Sequence, residues 1–467
     1  MLRRLGAFAI VIAGLFLLLA MQVGAFGRYF LSYTPRTYYF DYTAGSDSNL
    51  GTSPAQAWKE VNNKLQTQVT LRPGDRVLLK CGETWANSKI GLGFSGNENA
   101  PIYFGSYGVG VKPVISATAQ TYAFTAGSTR HYFVLDGINF QGGTSGCVSV
   151  AGHDISILNC DVVSSTVASG IMIFGQGIYN ITVSGCRLHN NTGGSGLEIG
   201  ADALPGPTNV EVTDNIAYSN GSSIAHHGIY AKRMDNYRAT RNVCYSNKGA
   251  GIKLRLYSTN TRIEANHCYT NTEYGIIVDY NYTPTPNVVV ANNLCVDNGV
   301  FNIVATGQTN GVEFYYNTCV NGGYRGMGIN QTQVTNTVWM NNLVVQDYSY
   351  VSVGDQAFRV EAAAMLVTNT FNYNNCVLLN TGTNTAWEVG GGGGGDYTLV
   401  QWQALVAGMD ANSSSVDPNF VADYTDLHLA FTSPLSVTAT PLVTVTTQDY
   451  DADSRGATPA MGCFEYP

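Results

Sequence analysis

In the middle of this chain, ionisable side chains stand at matching offsets behind a recurring glycine. After the glycines of Gly196-Leu197-Glu198-Ile199, Gly228-Ile229-Tyr230-Ala231, Gly251-Ile252-Lys253-Leu254 and Gly275-Ile276-Ile277-Val278, the second position holds Glu198, Tyr230, Lys253 and Ile277. The fourth holds Gly200, Lys232, Arg255 and Asp279. His226-His227 feed one of these runs, Tyr280 follows another, and Asp202 and Asp235 lie just beyond. With only 24 Lys plus Arg in 467 residues, this is a local concentration of cations. Cations can neutralise an anionic ligand, and a nearby Lys, Tyr or His can take up or deliver a proton. Set against that chemistry is a plain alternative, in which Lys232 and Arg255 form surface ion pairs with Glu198 and Asp279.

The elements that must position these groups are short strands. Each run above alternates in polarity with a period of two, the signature of a strand with one apolar face. A second run follows a recurring corner residue, as in Ile216-Ala217-Tyr218 and Val243-Cys244-Tyr245, and a third precedes it, as in Ile181-Thr182-Val183 and Val210-Glu211-Val212. The corner positions are Gly137, Asn159, Gly185, Asn215, Asn242, Asn266, Asn293, Asn317, Asn342 and Asn375, spaced 22 to 33 residues apart. A repeat of that period is a solenoid, and three strands per repeat make a parallel β-helix of about ten coils, roughly 45 Å long in its regular part. Asparagine suits the corner because it tolerates left-handed backbone angles and its amide can bond along the stack. In such a coil Glu198, Tyr230, Lys232, Lys253, Arg255 and Asp279 share one outer face, and loops along one edge can wall a groove suited to an extended polymer. The adjacent His226 and His227 point to opposite faces, which argues against a metal pair.

Composition bounds the rest. The chain is 45% hydrophobic and 12% charged with a formal charge of −8, which argues against disorder and against a nucleic-acid-binding surface. Arg3-Arg4 precede an apolar run from Leu5 to Val23, so residues 1–25 read as a signal peptide cleaved after Ala25, with an uncleaved membrane anchor as the alternative. The expected location is secreted or cell-surface, with a membrane contact only if that segment is retained. Residues 26–129 are expected to form the N-terminal cap and first coils, 130–385 the β-helix core, and 386–467 the last coils and C-terminal cap. A helix over Ala55 to Gln68, with Ser53 as N-cap and Pro54 at its first position, is expected to plug the N-terminal end. The glycine run from Gly390 to Gly395 reads as a linker. Cys244, Cys268, Cys295 and Cys319 each lie two residues past a corner Asn and form one column, with Cys160, Cys186 and Cys376 one residue past it. Parallel stacking is poor geometry for a bridge, so the ten cysteines are expected to be mostly reduced and to fill the core.

Specific motifs carry a resemblance. The stretch Gly45-Ser46-Asp47-Ser48-Asn49-Leu50-Gly51-Thr52-Ser53-Pro54, then Trp58, Pro73-Gly74-Asp75 and Gly82-Glu83-Thr84-Trp85, resembles the start of exported bacterial right-handed parallel β-helix proteins of the pectate-lyase-like superfamily. Asp417-Pro418-Asn419-Phe420 and the stretch Asp451 to Gly456, leading to Met461-Gly462-Cys463-Phe464-Glu465, fit the same pattern at the other end. The resemblance implies an all-β, right-handed parallel β-helix with N- and C-terminal caps, and a polysaccharide partner. By analogy with polysaccharide lyases of this fold, which split acidic glycans by β-elimination, Lys253 is the expected base. Arg255 and Lys232 clamp the carboxylate, Tyr230 or His227 protonates the leaving group, and His226 and Tyr280 contact substrate. Glu198 and Asp279 become substrate-binding groups and candidate calcium ligands, although calcium takes six to eight oxygens. A non-catalytic carbohydrate-binding or adhesive rod is the alternative, with the Tyr280-Asn281-Tyr282-Thr283 stretch offering rings and amides to sugars. A glycoside hydrolase ranks third, because Glu198 and Asp279 are too far apart for a catalytic pair.

Overall fold

The computed structural model describes residues 33–283, 286–351, 355–391, 394–422, 425–442 and 446–465. The apolar segment before them, read above as a signal peptide, lies outside the described residues. From Thr37 onward the chain winds into three stacked parallel sheets of thirteen, twelve and thirteen strands among the described residues. Sheet I holds the strands before each corner, such as Thr208–Thr213; sheet II those after it, such as Ile216–Tyr218; sheet III those opened by glycine, such as Ile229–Lys232. Successive coils pair in register, for instance Ile216 with Val243 in sheet II and Ile229 with Ile252 in sheet III. Among the described residues of these three sheets, only the last strand of sheet III, Gly395–Tyr397, runs antiparallel to its neighbour, and Phe420–Ala422 and Asp426–Leu429 form a separate antiparallel pair.

Alternation sets the core. In Leu197–Gly200, Ile229–Lys232 and Ile252–Arg255 the first and third residues are buried and the second is half-buried. The interior is aliphatic in the middle and aromatic towards both ends. Phe124 packs on Phe104, Phe133 and Phe140 near one end, and Phe358, Trp387 and Trp402 meet at the other. The cysteines follow the expectation for a core stack: all ten are free, and all but Cys81 are buried. Register puts Cys244, Cys268, Cys295, Cys319 and Cys376 in one column, with Val344 between the last two.

The asparagine ladder is present, but offset from its expected members at both ends. Each amide Nδ2 donates to the next Oδ1 at 3.0 Å through Asn215, Asn242, Asn266, Asn293, Asn317, Asn342 and then Asn374, not Asn375. Asn375 is instead the first residue of the following strand. Gly137, Asn159 and Gly185 also fall one place early. They share the left-handed angles of Asp214, Arg241, Ala265 and Asn292, which precede the ladder residues. The rung itself is taken there by Cys186, whose N–H donates to Asn215 Oδ1 at 2.9 Å, and by Cys160, whose N–H meets Cys186 Sγ at 3.4 Å. Asparagine is therefore selected at this corner for its amide and not for its backbone angle.

A second buried ladder, not anticipated from sequence, lies five residues further on. It runs through Asn191, Asn220, Asn247, Asn271 and Asn298 at 2.9 to 3.0 Å and closes on Asn302 at 2.7 Å. It explains the strand-opening glycines. A Cβ on Gly228 would lie 2.6 Å from the Gly251 carbonyl oxygen and 2.8 Å from Asn247 Nδ2, so the ladder and a side chain cannot share that space.

At the N-terminal end the expected helix is broken. Pro54–Gln56 is a single 3-10 turn, and a helix resumes only at Val61–Thr67. Between them Trp58 bonds into the first coil, its N–H to the Tyr39 carbonyl and its Nε1 to the Asn49 carbonyl, while Asp47 accepts the N–H groups of Lys59 and Glu60. Burying that indole fixes an extended backbone where periodicity alone suggests a continuous helix.

Replacing an interior ladder residue should be costly. Asn247→Ala removes donors to Ala217 O and Asn271 Oδ1 and the acceptor of two Asn220 N–H groups. Denaturant titration is expected to show a loss of about 3–5 kcal/mol. Asn209→Gly, in an exposed left-handed stack with Asn180 and Asn236, should lose under about 1 kcal/mol. Thiol titration should find one reactive group, Cys81, in the native protein and ten after unfolding.

Candidate functional site

Sheet III brings the sequence-selected residues into two outward columns. Register aligns Met172, Glu198, Tyr230, Lys253 and Ile277 in one, and Phe174, Gly200, Lys232, Arg255 and Asp279 in the other. Beneath them the inward column of Ile171, Leu197, Ile229, Ile252 and Ile276 is fully buried, which fixes the strands in place. The face is one of designed neighbours, because parallel in-register pairing puts consecutive side chains about 4.8 Å apart.

The second asparagine ladder and a polar staircase position the loops beside this face. Ser169, Ser195 and His227 each precede a strand-opening glycine and stack over one another. The His227 N–H donates to Ser195 Oγ at 2.9 Å, and the Ser195 N–H donates to Ser169 Oγ at 3.1 Å. Ser169 in turn donates its hydroxyl to Glu198 Oε2 at 2.8 Å. The serines were not among the sequence candidates, although their place one residue before the glycine was visible. A cavity of about 310 Å³ opens here, lined by Glu198, Tyr230 and His226 together with Ser169, Ser195 and Met172.

Next to the cavity lies a compact ion cluster. Lys253 Nζ is 2.9 Å from Asp279 Oδ2, and Arg255 Nε approaches the same oxygen at 3.4 Å. Asp279 is buried, so both cations share one carboxylate out of bulk water. Burial works against the Arg255 charge, but the Tyr230 hydroxyl, with Asp279 and Tyr280, outweighs it and holds the guanidinium above its ordinary pKa. The guanidinium also lies 5.7 Å from the centre of the Tyr280 ring. Its Nε is buried yet makes no hydrogen bond within the protein.

Other expected members sit apart from this cluster. Lys232 turns to Asp202, 2.9 Å away in the loop after Leu197–Gly200 of the preceding coil, and its ammonium lies over the Phe174 ring. His227 is buried, with Nδ1 accepting the Ala250 N–H at 2.9 Å and its ring edge-on to Tyr230. Burial first, then the charges of Lys253, His226 and Arg255, push its pKa well below the usual imidazole range, so the ring is neutral. His226 and His227 diverge although both lie in the loop before Ile229–Lys232 and not in the strand: His227 is buried, and His226 lines the cavity. In the Tyr280 stretch Asn281 is buried under Ser258, and Tyr282 packs on Tyr257 and is half-buried, leaving Tyr280 the more exposed ring.

Glu198 and Asp279 do not meet. They are three strands and one column apart, roughly 14 Å along the stack. Glu198 is engaged by Ser169, and Asp279 is neutralised by two cations. Among the described residues no three His, Cys, Asp or Glu side chains are grouped to hold a metal. The pair does not fit a calcium ion.

A profile described as "Right handed beta helix region" matches residues 222–344. No match was found among curated protein sequences. Among solved structures, a GH136 lacto-N-biosidase from Eubacterium ramulus is similar at a TM-score of 0.58 and 16% identity, over 74% of this chain and 68% of that one. XylC in complex with xylose is similar at a TM-score of 0.56 and 10% identity, over 92% and 98%. The pectate lyase Pel9A reaches 0.49 at 17% identity, over 93% and 97%. At such identities the likeness is one of fold. The profile match and the shared architecture agree with the three stacked sheets in identifying this chain as a right-handed parallel β-helix.

Proposed function

We propose that the face of sheet III binds an acidic, uronate-containing polysaccharide and that the protein is an exported lyase cleaving it by β-elimination. The observation that carries this reading is the Lys253–Arg255 pair, two cations that share the one buried carboxylate of Asp279 and so leave positive charge on this face. A substrate carboxylate is the ligand group best matched to that charge. That two proteins of this fold are, by name, a lacto-N-biosidase and a xylose complex supports a carbohydrate ligand. Export rests on Arg3-Arg4 and the apolar run to Val23.

The ion cluster changes the roles first expected. Lys253, ion-paired with Asp279 at 2.9 Å, is assigned with Arg255 to the uronate carboxylate and no longer to the base role. Tyr230, adjacent to Arg255 and facing the cavity, is the group to take the proton α to that carboxylate. The released electron pair forms the double bond, the bond from the β carbon to the glycosidic oxygen breaks, and that oxygen gains a proton. His226, which lines the same cavity, is the candidate donor. His227 and Lys232 are positioning groups, and each step is assigned to side chains of this chain. A non-catalytic, sugar-binding rod is the competing reading, favoured by the same ion pair because it occupies Lys253, the base first expected.

Incubation with alginate, pectate and glycosaminoglycans, followed by ultraviolet absorbance of the unsaturated product, separates the two. Product should form equally with and without EDTA. Arg255→Ala should lower kcat/KM by about 100-fold or more, and Tyr230→Phe should abolish most turnover while binding persists. Binding of all three polymers without unsaturated product would establish the non-catalytic reading, and full activity of Tyr230→Phe would remove that residue from the chemistry.

A further inference from the structure

The C-terminal segment builds a second cavity on a different face. Phe420, Leu427, Leu435 and Met461 pack against the outer sides of Leu294, Tyr315 and Leu343, forming a hydrophobic cluster of their own. The Cys463 N–H donates to Thr318 Oγ1 at 2.9 Å, and Arg455 Nη2 to Asn292 Oδ1 at 2.8 Å, which docks the segment on sheets I and II. Where it stops, a cavity of about 410 Å³ remains between it and sheet II.

Two sets of groups converge there. An outward stack of rings, His189, Tyr218, Tyr245 and Tyr269, runs along sheet II with centres 4.7 to 4.9 Å apart and ends at the cavity, since Val296 takes the next place. Opposite it His428 is held by Asp426 and Asp451, with Nδ1 2.5 Å and Nε2 2.7 Å from their carboxylate oxygens, and its ring lies 4.1 Å from that of Phe464. Burial opposes the His428 charge, but the two carboxylates outweigh it and raise its pKa above the ordinary imidazole value, which favours the charged form. Asp297 also lines the cavity.

We infer that this cavity binds an uncharged sugar unit of a glycan, separately from the sheet III face. An aromatic ring end beside fixed carboxylate acceptors matches a pyranose, which offers an apolar C–H face and a rim of hydroxyl donors. Asp297, Asp426 and Asp451 against a single imidazolium give an acidic lining that repels a uronate. The same carboxylates are not grouped to hold a metal. The sheet III face, with its paired Lys253 and Arg255, has the opposite sign, so a glycan bearing both neutral and acidic units would engage each on its own side.

Calorimetry of the full protein with xylohexaose, cellohexaose and hexagalacturonate tests this. A neutral oligosaccharide should bind in the millimolar range or tighter, and Tyr269→Ala and Asp451→Asn should each weaken it by about tenfold. Tyr269→Phe and Arg255→Ala should leave that binding unchanged. Failure of both neutral probes, equal affinity for hexagalacturonate, or neutral binding lost only in Arg255→Ala would overturn the assignment. Melting temperatures of the variants show that each is folded, and polymer cleavage by Asp451→Asn reports on the sheet III face independently.

Discussion

Register between coils is the constraint on which everything else depends, and the buried asparagine amides enforce it. Each amide satisfies a carbonyl in the preceding coil while bridging to the next amide, so a shift of one residue would strand several buried polar groups at once. Backbone pairing alone tolerates slippage far better. Because the second ladder lies directly beneath the loops that enter sheet III, it fixes their height and hence the staircase of Ser169, Ser195 and His227. The chemistry-bearing face inherits its precision from a core device, not from its own contacts.

Register also explains how charge collects without collapse. A parallel stack places like side chains over one another, and Lys232 beside Arg255 is unfavourable by itself. Two acceptors relieve it: Asp202 draws Lys232 aside, and Asp279 on the next coil receives Lys253 and Arg255. With one carboxylate for two cations, that end of the face keeps positive character although the protein as a whole is acidic.

Much of this was legible in the sequence. Period-two alternation and the strand-opening glycines gave the columns of sheet III in register, because a solenoid converts sequence spacing directly into position. The corner was less legible: Gly137, Asn159 and Gly185 fit the left-handed residue, and Asn215 to Asn342 fit the amide, two adjacent places that a search for one consensus merges. The second ladder left a signal in Asn215/Asn220, Asn242/Asn247, Asn266/Asn271 and Asn293/Asn298, overlooked because loops of varying length follow it. The partner of each charged side chain was not legible at all. Whether Lys253 is unpaired or ion-paired depends on a rotamer choice among neighbours on adjacent coils, which spacing does not encode. The break at Trp58 likewise depends on a long-range contact with the first coil.

The two buried ladders share one polarity, since every amide-to-amide link runs from Nδ2 to the Oδ1 of the next coil, the second Nδ2 hydrogen going to a carbonyl of the preceding coil. Side-chain dipoles aligned head to tail add, as peptide dipoles do in an α-helix. The interior of the rod therefore carries two parallel axial dipoles made of side chains, with their positive ends towards the C-terminal coils. Any charge placed along the outer surface sits in a field that is graded from one end to the other, so equivalent positions on successive coils are electrostatically inequivalent even where their sequences repeat.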